Sequence, residues 1–135
     1  MTFLLTGCMT TTKVKPVNKD LLQRSDAVCV EQNNSVFHGA LIQSALVEAF
    51  SKQNIKTKTI SRDNIQSSEC EYRVTYVARR SFGAGVYISN IELNLFDRNR
   101  NYIGNAKWKI NSSLSPDRFK DLQENVDEIV DKLLN

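Results

Sequence analysis

The chain has 135 residues, of which 41% are hydrophobic and 24% charged, and its formal net charge is +3. This length suits a single domain with a real core, and the composition is that of a globular protein. The mild positive charge argues against a dedicated nucleic-acid-binding protein, which concentrates a larger basic excess on one element. No apolar run of about 18 residues is present, so the sequence predicts no membrane-spanning helix.

The N-terminal segment carries the most informative motif. Leu5-Thr6-Gly7-Cys8 resembles a bacterial lipobox, in which the cysteine receives a diacylglycerol and the preceding peptide is removed. We expect residues 1–7 to be a signal-peptide remnant and residues 8–24 to be the lipidated cysteine followed by a flexible tether, because that stretch is polar and lacks an apolar period. The segment before Cys8 has no basic residue and only a short apolar run, which a start further upstream would explain. The alternative is a chance match in a cytosolic protein.

The remaining cysteines form an even pair. If Cys8 is lipidated, Cys29 and Cys70 are left, and in an oxidising compartment such a pair is typical of a disulfide. The bond would close a loop of about 40 residues. Two separate buried thiols are the alternative.

The first half of the folded part alternates strand and helix. Residues 27–30 predict a short strand, and a helix follows with Ser35 as its N-cap and an end near Asn54. Residues 56–60 predict an edge strand, since its lysines discourage further pairing, and residues 61–69 a polar loop. The apolar stripe of the helix consists of Phe37, Leu41, Ile42, Ala45, Leu46, Ala49 and Phe50.

Three later segments alternate with a period of two, which is typical of an antiparallel sheet with one buried face. The polar turn 97–101 separates the last two strands. The residues on the buried parity are Cys70, Tyr72, Val74, Tyr76 and Ala78; Tyr87, Ile91, Leu93 and Leu95; and Tyr102, Gly104, Ala106, Trp108 and Ile110.

A second helix closes the chain. Ser115 is its predicted N-cap, Pro116 its first residue and Asp117 the acid of its first turn. Its apolar stripe consists of Phe119, Leu122, Val126, Ile129, Val130, Leu133 and Leu134. The order β-α-β-β-β-β-α predicts a single α+β domain over residues 25–135: a two-layer sandwich with a mainly antiparallel sheet of about five strands and both helices on one face.

Candidate catalytic groups are sparse. His38 is the only histidine, and we interpret it as a surface or capping residue. The cysteines lack metal-ligand spacing, so we expect no metal and no cofactor. Gly83-Ala84-Gly85 lies between two strands, which favours a hairpin connection or a bulge over a phosphate loop.

The solvent-exposed face of the predicted sheet is the one candidate binding surface. Arg73, Arg79, Lys107 and Lys109 fall on the exposed parity and predict a shallow basic surface. Tyr72, Tyr76 and Trp108 fall on the buried parity, so an RNA-recognition sheet with stacking aromatics is not expected. An anionic partner and an ordinary solvated face remain the alternatives.

The whole pattern resembles a family of small, uncharacterised Gram-negative outer-membrane lipoproteins. The segments that carry the resemblance are Leu5 to Cys8, Cys29 in the first strand, Cys70-x-Tyr72-x-x-x-Tyr76-x-Ala78, Tyr102 to Ala106, Phe119 and Ile129 to Leu134. The resemblance implies a lipid anchor at Cys8, a location at the periplasmic face of the outer membrane and a bond between Cys29 and Cys70. Met9 follows the lipidated cysteine, where the absence of aspartate resembles the outer-membrane sorting pattern.

The predicted function is therefore non-catalytic: a structural or partner-binding role in the envelope, with the membrane and an envelope protein as partners and no nucleic acid. Two alternatives stay open. A small-ligand or lipid carrier would need a pocket lined by aromatic residues, namely Phe37, Tyr72, Tyr76 and Trp108. A hydrolase would need a converging polar site that the sequence does not display.

Overall fold

The computed structural model describes residues 10–61, 70–83, 85–112, 115–116 and 120–134. The strands are β1 (Thr10–Lys15), β2 (Val28–Gln32), β3 (Thr57–Ser61), β4 (Tyr72–Phe82), β5 (Val86–Asp97) and β6 (Tyr102–Ile110), and the helices are α1 (Lys19–Arg24), α2 (Gly39–Lys52) and α3 (Leu122–Leu133).

The strands form one open six-stranded sheet in the order β1-β6-β5-β4-β2-β3. Strand β1 pairs with β6, β6 with β5 and β5 with β4, all antiparallel, whereas β2 runs parallel to both β3 and β4. The parallel half arises because α2 carries the chain back between β2 and β3, as a crossover must. The predicted α+β class is confirmed, with a mixed sheet of six strands in place of about five.

The prediction of a flexible tether is wrong for residues 10–24. β1 pairs with β6 along its whole length, from Thr10 opposite Ile110 to Lys15 opposite Asn105. The following α1 buries Leu22 completely. The sequence pattern does not indicate this strand because β1 is an edge strand of alternating exposed and half-buried residues, and Val14 is its only aliphatic side chain. Its order comes from the partner strand rather than from its own apolar pattern.

The first long helix begins later than predicted. Ser35 does not cap it; instead the Ser35 N–H donates to the Asn33 side chain at 3.0 Å, which makes a tight turn. The helix starts at Gly39, after His38 in the left-handed conformation (φ 55°). A Cβ at Gly39 would collide with the Asn33 carbonyl oxygen, so this turn requires glycine.

The last helix also begins later, at Leu122. Ser115 is fully buried, and its hydroxyl lies 2.8 Å from the Thr10 hydroxyl. This contact joins the start of β1 to the segment that follows β6. Asp117 and Phe119, part of the predicted helix start, lie outside the described residues. The predicted stripe holds over the rest of the helix, where Val126, Ile129, Val130 and Leu133 are completely buried.

The main core lies between the helices and one face of the sheet. α2 and α3 pack against each other and onto the strands. The sheet contributes its predicted buried parity, with Val74, Leu93 and Ala106 fully excluded from solvent. The other face of the sheet carries no helix among the described elements, and it presents the candidate surface.

Two predicted features of the sheet periphery are confirmed. β3 is an edge strand, although residues 62–69 of the loop that follows it lie outside the described residues. The Gly83 region is a hairpin connection, in which the Gly83 N–H donates to the Gly85 carbonyl at 2.9 Å and Gly85 has φ 122°.

Candidate functional site

Four cations meet on the face of the sheet that the helices leave uncovered, and we call them the open basic face: Lys13, Arg79, Lys107 and Lys109. Strand pairing brings them together. Lys13 lies opposite Lys107 across β1 and β6, and Lys109 lies opposite Asn90 of β5. Asn90 in turn pairs with Arg79 of β4. The sequence predicts three of the four residues, and the fourth, Lys13, lies in the predicted tether.

The open basic face surrounds a shallow depression of about 430 Å³. Polar groups line it beside the cations, among them Thr11, Asn90 and Asn111, and Val77 contributes an apolar patch that is 47% exposed. The volume falls in the range of small-ligand sites, but the shape is open rather than enclosed. Such a surface suits a group that lies across the strands.

The charge of this face is unbalanced. Lys13 and Lys107 are directly opposed, and like charges in that position destabilise a sheet. Among the described residues, Glu92 is the one carboxylate lining the depression, and it lies 3.8 Å from the Lys107 Nζ. That exposed pair is weak, so the face keeps a net positive potential that attracts anionic groups.

A β-bulge shapes the rim of the depression. The pairing of β4 with β5 shifts between Arg79 and Arg80, where Ser89 is the extra residue. Ser89 is 5% exposed, and its hydroxyl lies 3.1 Å from the Asn90 side-chain oxygen and 3.3 Å from the Arg79 carbonyl oxygen. This hydroxyl, with one proton to share between the two oxygens, therefore lies between the Arg79 backbone and the Asn90 side chain at the point where both residues face the depression.

The remaining predicted cation, Arg73, lies apart from this group. It is half-buried, and it pairs with Phe96 on one side and Cys29 on the other. Arg73 therefore belongs to the parallel side of the sheet, near the disulfide, and not to the depression.

The two internal cysteines lie at disulfide distance, as predicted, with Cα atoms 5.7 Å apart. Together with Ile60 they form a second small apolar cluster, separate from the main core. Cys29 alternates with the core residues Val28 and Val30, so this cluster sits on the uncovered face. The prediction that Cys70 continues the buried parity of Tyr72 is wrong, because Cys70 precedes β4 and turns to Cys29.

The residues predicted to line a carrier pocket largely belong to the core. Trp108 is 3% exposed, and Tyr76 is 2% exposed within the main core cluster. The Tyr76 hydroxyl donates to the Gly39 carbonyl at 3.3 Å and accepts the Asn33 N–H at 3.2 Å, and burial raises the pKa of Tyr76. These contacts join the sheet to the turn before α2.

Polar chemistry elsewhere is dispersed. His38 is exposed and packs against the Phe37 ring, with centroids 3.9 Å apart, and its side chain forms no cap hydrogen bond with α2. Within the described part of the chain, no group of three His, Cys, Asp or Glu side chains is placed to hold a metal ion. The same residues contain no helix long and apolar enough to cross a membrane.

Comparison with known proteins yields only structural similarity. No protein-family model and no curated protein matches the chain. The fold is similar to that of a single-substitution variant of the PelC dodecamer from Paraburkholderia phytofirmans, with a TM-score of 0.59 and 16% identity over 91% of this chain and 94% of that one. A second PelC dodecamer structure from the same organism gives a TM-score of 0.56 and 14% identity over 91% and 95%. At such identities the likeness concerns the fold alone.

Proposed function

We propose that the protein is a lipid-anchored binding domain of the bacterial envelope, held through Cys8 at the periplasmic face of the outer membrane and without catalytic activity. The observation that carries this proposal is the close approach of Cys29 and Cys70. A disulfide between them fits an oxidising compartment. It also leaves Cys8, within Leu5-Thr6-Gly7-Cys8, as the one unpaired cysteine of three.

Mass spectrometry of the protein from its native host tests the anchor. We expect an N-terminal peptide that starts at Cys8 and carries a diacyl or triacyl group, and a Cys8→Ser variant that leaves the membrane fraction. Non-reducing peptide mapping should recover Cys29 joined to Cys70. A native protein that keeps an unmodified Met1 would contradict the proposal.

The binding role rests on the open basic face. Its cations are directed away from the core, with one carboxylate to offset them in the described depression. Folded domains tolerate such like-charge crowding at a cost to stability, which an anionic partner would relieve. We therefore assign the partner surface to this side of the sheet.

Site-specific photocrosslinking in intact envelopes tests that assignment. A photoreactive residue in place of Val77, at 47% exposure, lines the depression beside the open basic face. The same residue in place of Leu41, at 58% exposure on α2, is the matched control. We expect a discrete product from the first position and not from the second. Equal yields of crosslinked product from both positions would contradict this assignment of the partner surface.

Self-association is the second candidate, since the two similar structures are PelC dodecamers. The outer strands β1 and β3 each have one neighbour in the sheet. Edge strands of this kind are available for contacts with another chain. Sedimentation velocity across a concentration series distinguishes a monomer from a dodecamer.

A further inference from the structure

One end of the sheet gathers the features of a membrane-contacting surface, and we call it the entry end because the described chain starts there. Because β1 and β5 run antiparallel to β4 and β6, Thr10, Ile110 and the β4–β5 hairpin all lie at this end. Thr10 is held in place by its hydroxyl contact with Ser115.

The hairpin at the entry end exposes apolar side chains. Phe82 is 72% exposed and Val86, its pairing partner, is 53% exposed. Exposed aromatic and aliphatic side chains gathered at a rim of cations mark an interaction surface. Phe82 has the largest exposed fraction of the large hydrophobic residues in the described chain.

Cations lie behind this apolar tip. The Arg80 guanidinium lies 5.7 Å from the centre of the Phe82 ring and 5.5 Å from that of Phe37. Arg79 and Lys109 lie in the same row of the sheet, joined through Asn90, and both are exposed. An apolar tip backed by arginine and lysine is the arrangement that suits a bilayer surface with anionic headgroups.

The position of the proposed anchor agrees with this end. A row of paired residues crosses the sheet from Arg79 through Asn90 and Lys109 to Thr11. Toward the entry end, Thr10 lies one residue past this row on β1, and Phe82 lies three residues past it on β4. The hairpin tip therefore extends about 7 Å past Thr10 at roughly 3.3 Å per residue. Cys8 precedes Thr10 by two residues, whose reach is also about 7 Å. An acyl chain on Cys8 would bring the hairpin tip to the membrane surface.

We propose that the entry end docks on the phospholipid leaflet that holds the anchor, with Phe82 and Val86 in the interfacial layer and Arg79, Arg80 and Lys109 at the level of the phosphates. The inference rests on the proposed function for its biological setting. Its geometry is testable without native lipidation, because Cys8 is the one thiol left when Cys29 and Cys70 are bonded.

The experiment couples the oxidised full chain through Cys8 to a maleimide lipid in vesicles of phosphatidylethanolamine and phosphatidylglycerol. Phe82→Trp reports on the entry end, Val86→Trp repeats the measurement at a second position, and Tyr102→Trp, 45% exposed at the opposite end, is the control. The buried Trp108 of the unsubstituted chain supplies the baseline. We expect a blue shift and quenching by brominated lipid at positions 82 and 86 and neither at position 102.

Charge variants test the role of the cations. Arg79→Gln with Arg80→Gln should reduce the quenching at position 82. Lys15→Gln with Lys56→Gln removes the same charge from the opposite end, where β1 ends and β3 begins, and should leave the quenching unchanged. Equal quenching at positions 82 and 102, or none at 82 and 86, would overturn the docking proposal. Because the anchor is chemical, that outcome would leave the proposed lipidation of Cys8 standing, and unlipidated native Cys8 would leave the docking result standing.

Discussion

The disulfide lies at the weakest junction of the sheet, and its removal should be the costliest change outside the main core. β2 pairs with β4 over three residues, whereas β4 pairs with β5 over eleven. The bond between Cys29 and Cys70 fastens this short parallel junction and closes a loop with a sequence separation of 41. That loop contains α2 and β3, so it links the parallel half of the sheet to the antiparallel half.

The magnitude follows from the loop length. In the chain-entropy model, a loop of this size restricts the unfolded chain by about 4 kcal/mol at 25 °C. Cys29 and Cys70 are 1% and 6% exposed, so their replacement by alanine also removes some apolar contact with Ile60. We expect the double variant Cys29→Ala/Cys70→Ala to lose roughly 3–5 kcal/mol of unfolding free energy.

Urea unfolding followed by circular dichroism measures this loss. The Cys8→Ser background keeps intermolecular thiol exchange out of the comparison, and the same protein with and without reductant provides an independent measurement. Reduction should destabilise the parent by nearly the amount that the double substitution does, and it should not affect the double variant. A loss below about 1 kcal/mol would refute the reasoning, because it would mean that the bond does not restrict the unfolded chain as its separation requires.

Three further substitutions test the fold. Leu22→Ala should cost about 2–5 kcal/mol in urea unfolding because Leu22 is completely buried, while Leu21→Ala, 40% exposed, should be nearly neutral; equal effects would mean that α1 is not part of the domain. Tyr76→Phe should cost about 1 kcal/mol, since the hydroxyl accepts the Asn33 N–H, and unchanged stability would show that this hydrogen bond adds nothing. Hydrogen bonds to the Asp97 carboxylate, above all from the Asn101 N–H, lower the pKa of Asp97. The stability that the ionised carboxylate gives the folded protein is therefore complete above the unfolded pKa, near 4, and is lost as the pH falls through the lower folded pKa. The stability advantage over Asp97→Asn should shrink on acidification, and a pH-independent difference would contradict this origin.

The sequence predicts those elements whose own residues carry a clear hydrophobic period. Val74, Leu93 and Ala106 lie on strands long enough for strict alternation to appear, and all three occupy the core. Most of the predicted stripes of α2 and α3 are also buried, since a helix face repeats over several turns. In the predicted stripe of α2, however, Leu41 is 58% exposed and Phe37 precedes the helix. Strand order could not be read in the same way, because the crossover that makes β2 parallel to β4 depends on contacts distant in sequence.

The parts of the fold that the sequence does not predict are those that depend on a neighbouring strand or on a contact distant in sequence. β1 has little apolar signal and forms because β6 offers it a free edge. The candidate site is affected as well, since Lys13 lies in the predicted tether and yet pairs with Lys107. The parity shared by Thr11, Lys13 and Lys15 was the signal that could have placed them on one face. Cys70 was misplaced for a related reason: parity arguments end where the strand ends, and Cys70 lies just before β4.

The order of β1 also changes what an anchor at Cys8 would do. A lipid joined through a long flexible tether confines a domain near the membrane and leaves its orientation free, so that it acts mainly through effective concentration. Here the paired strand begins two residues after Cys8, at Thr10. An anchor so close to a rigid sheet would restrict orientation as well as position. The sheet would stand with its entry end at the lipid and Tyr102 away from it, and the open basic face would run from the membrane surface outward. A partner would then meet Lys13 and Lys107 in a defined direction, which is a stronger constraint on recognition than proximity alone.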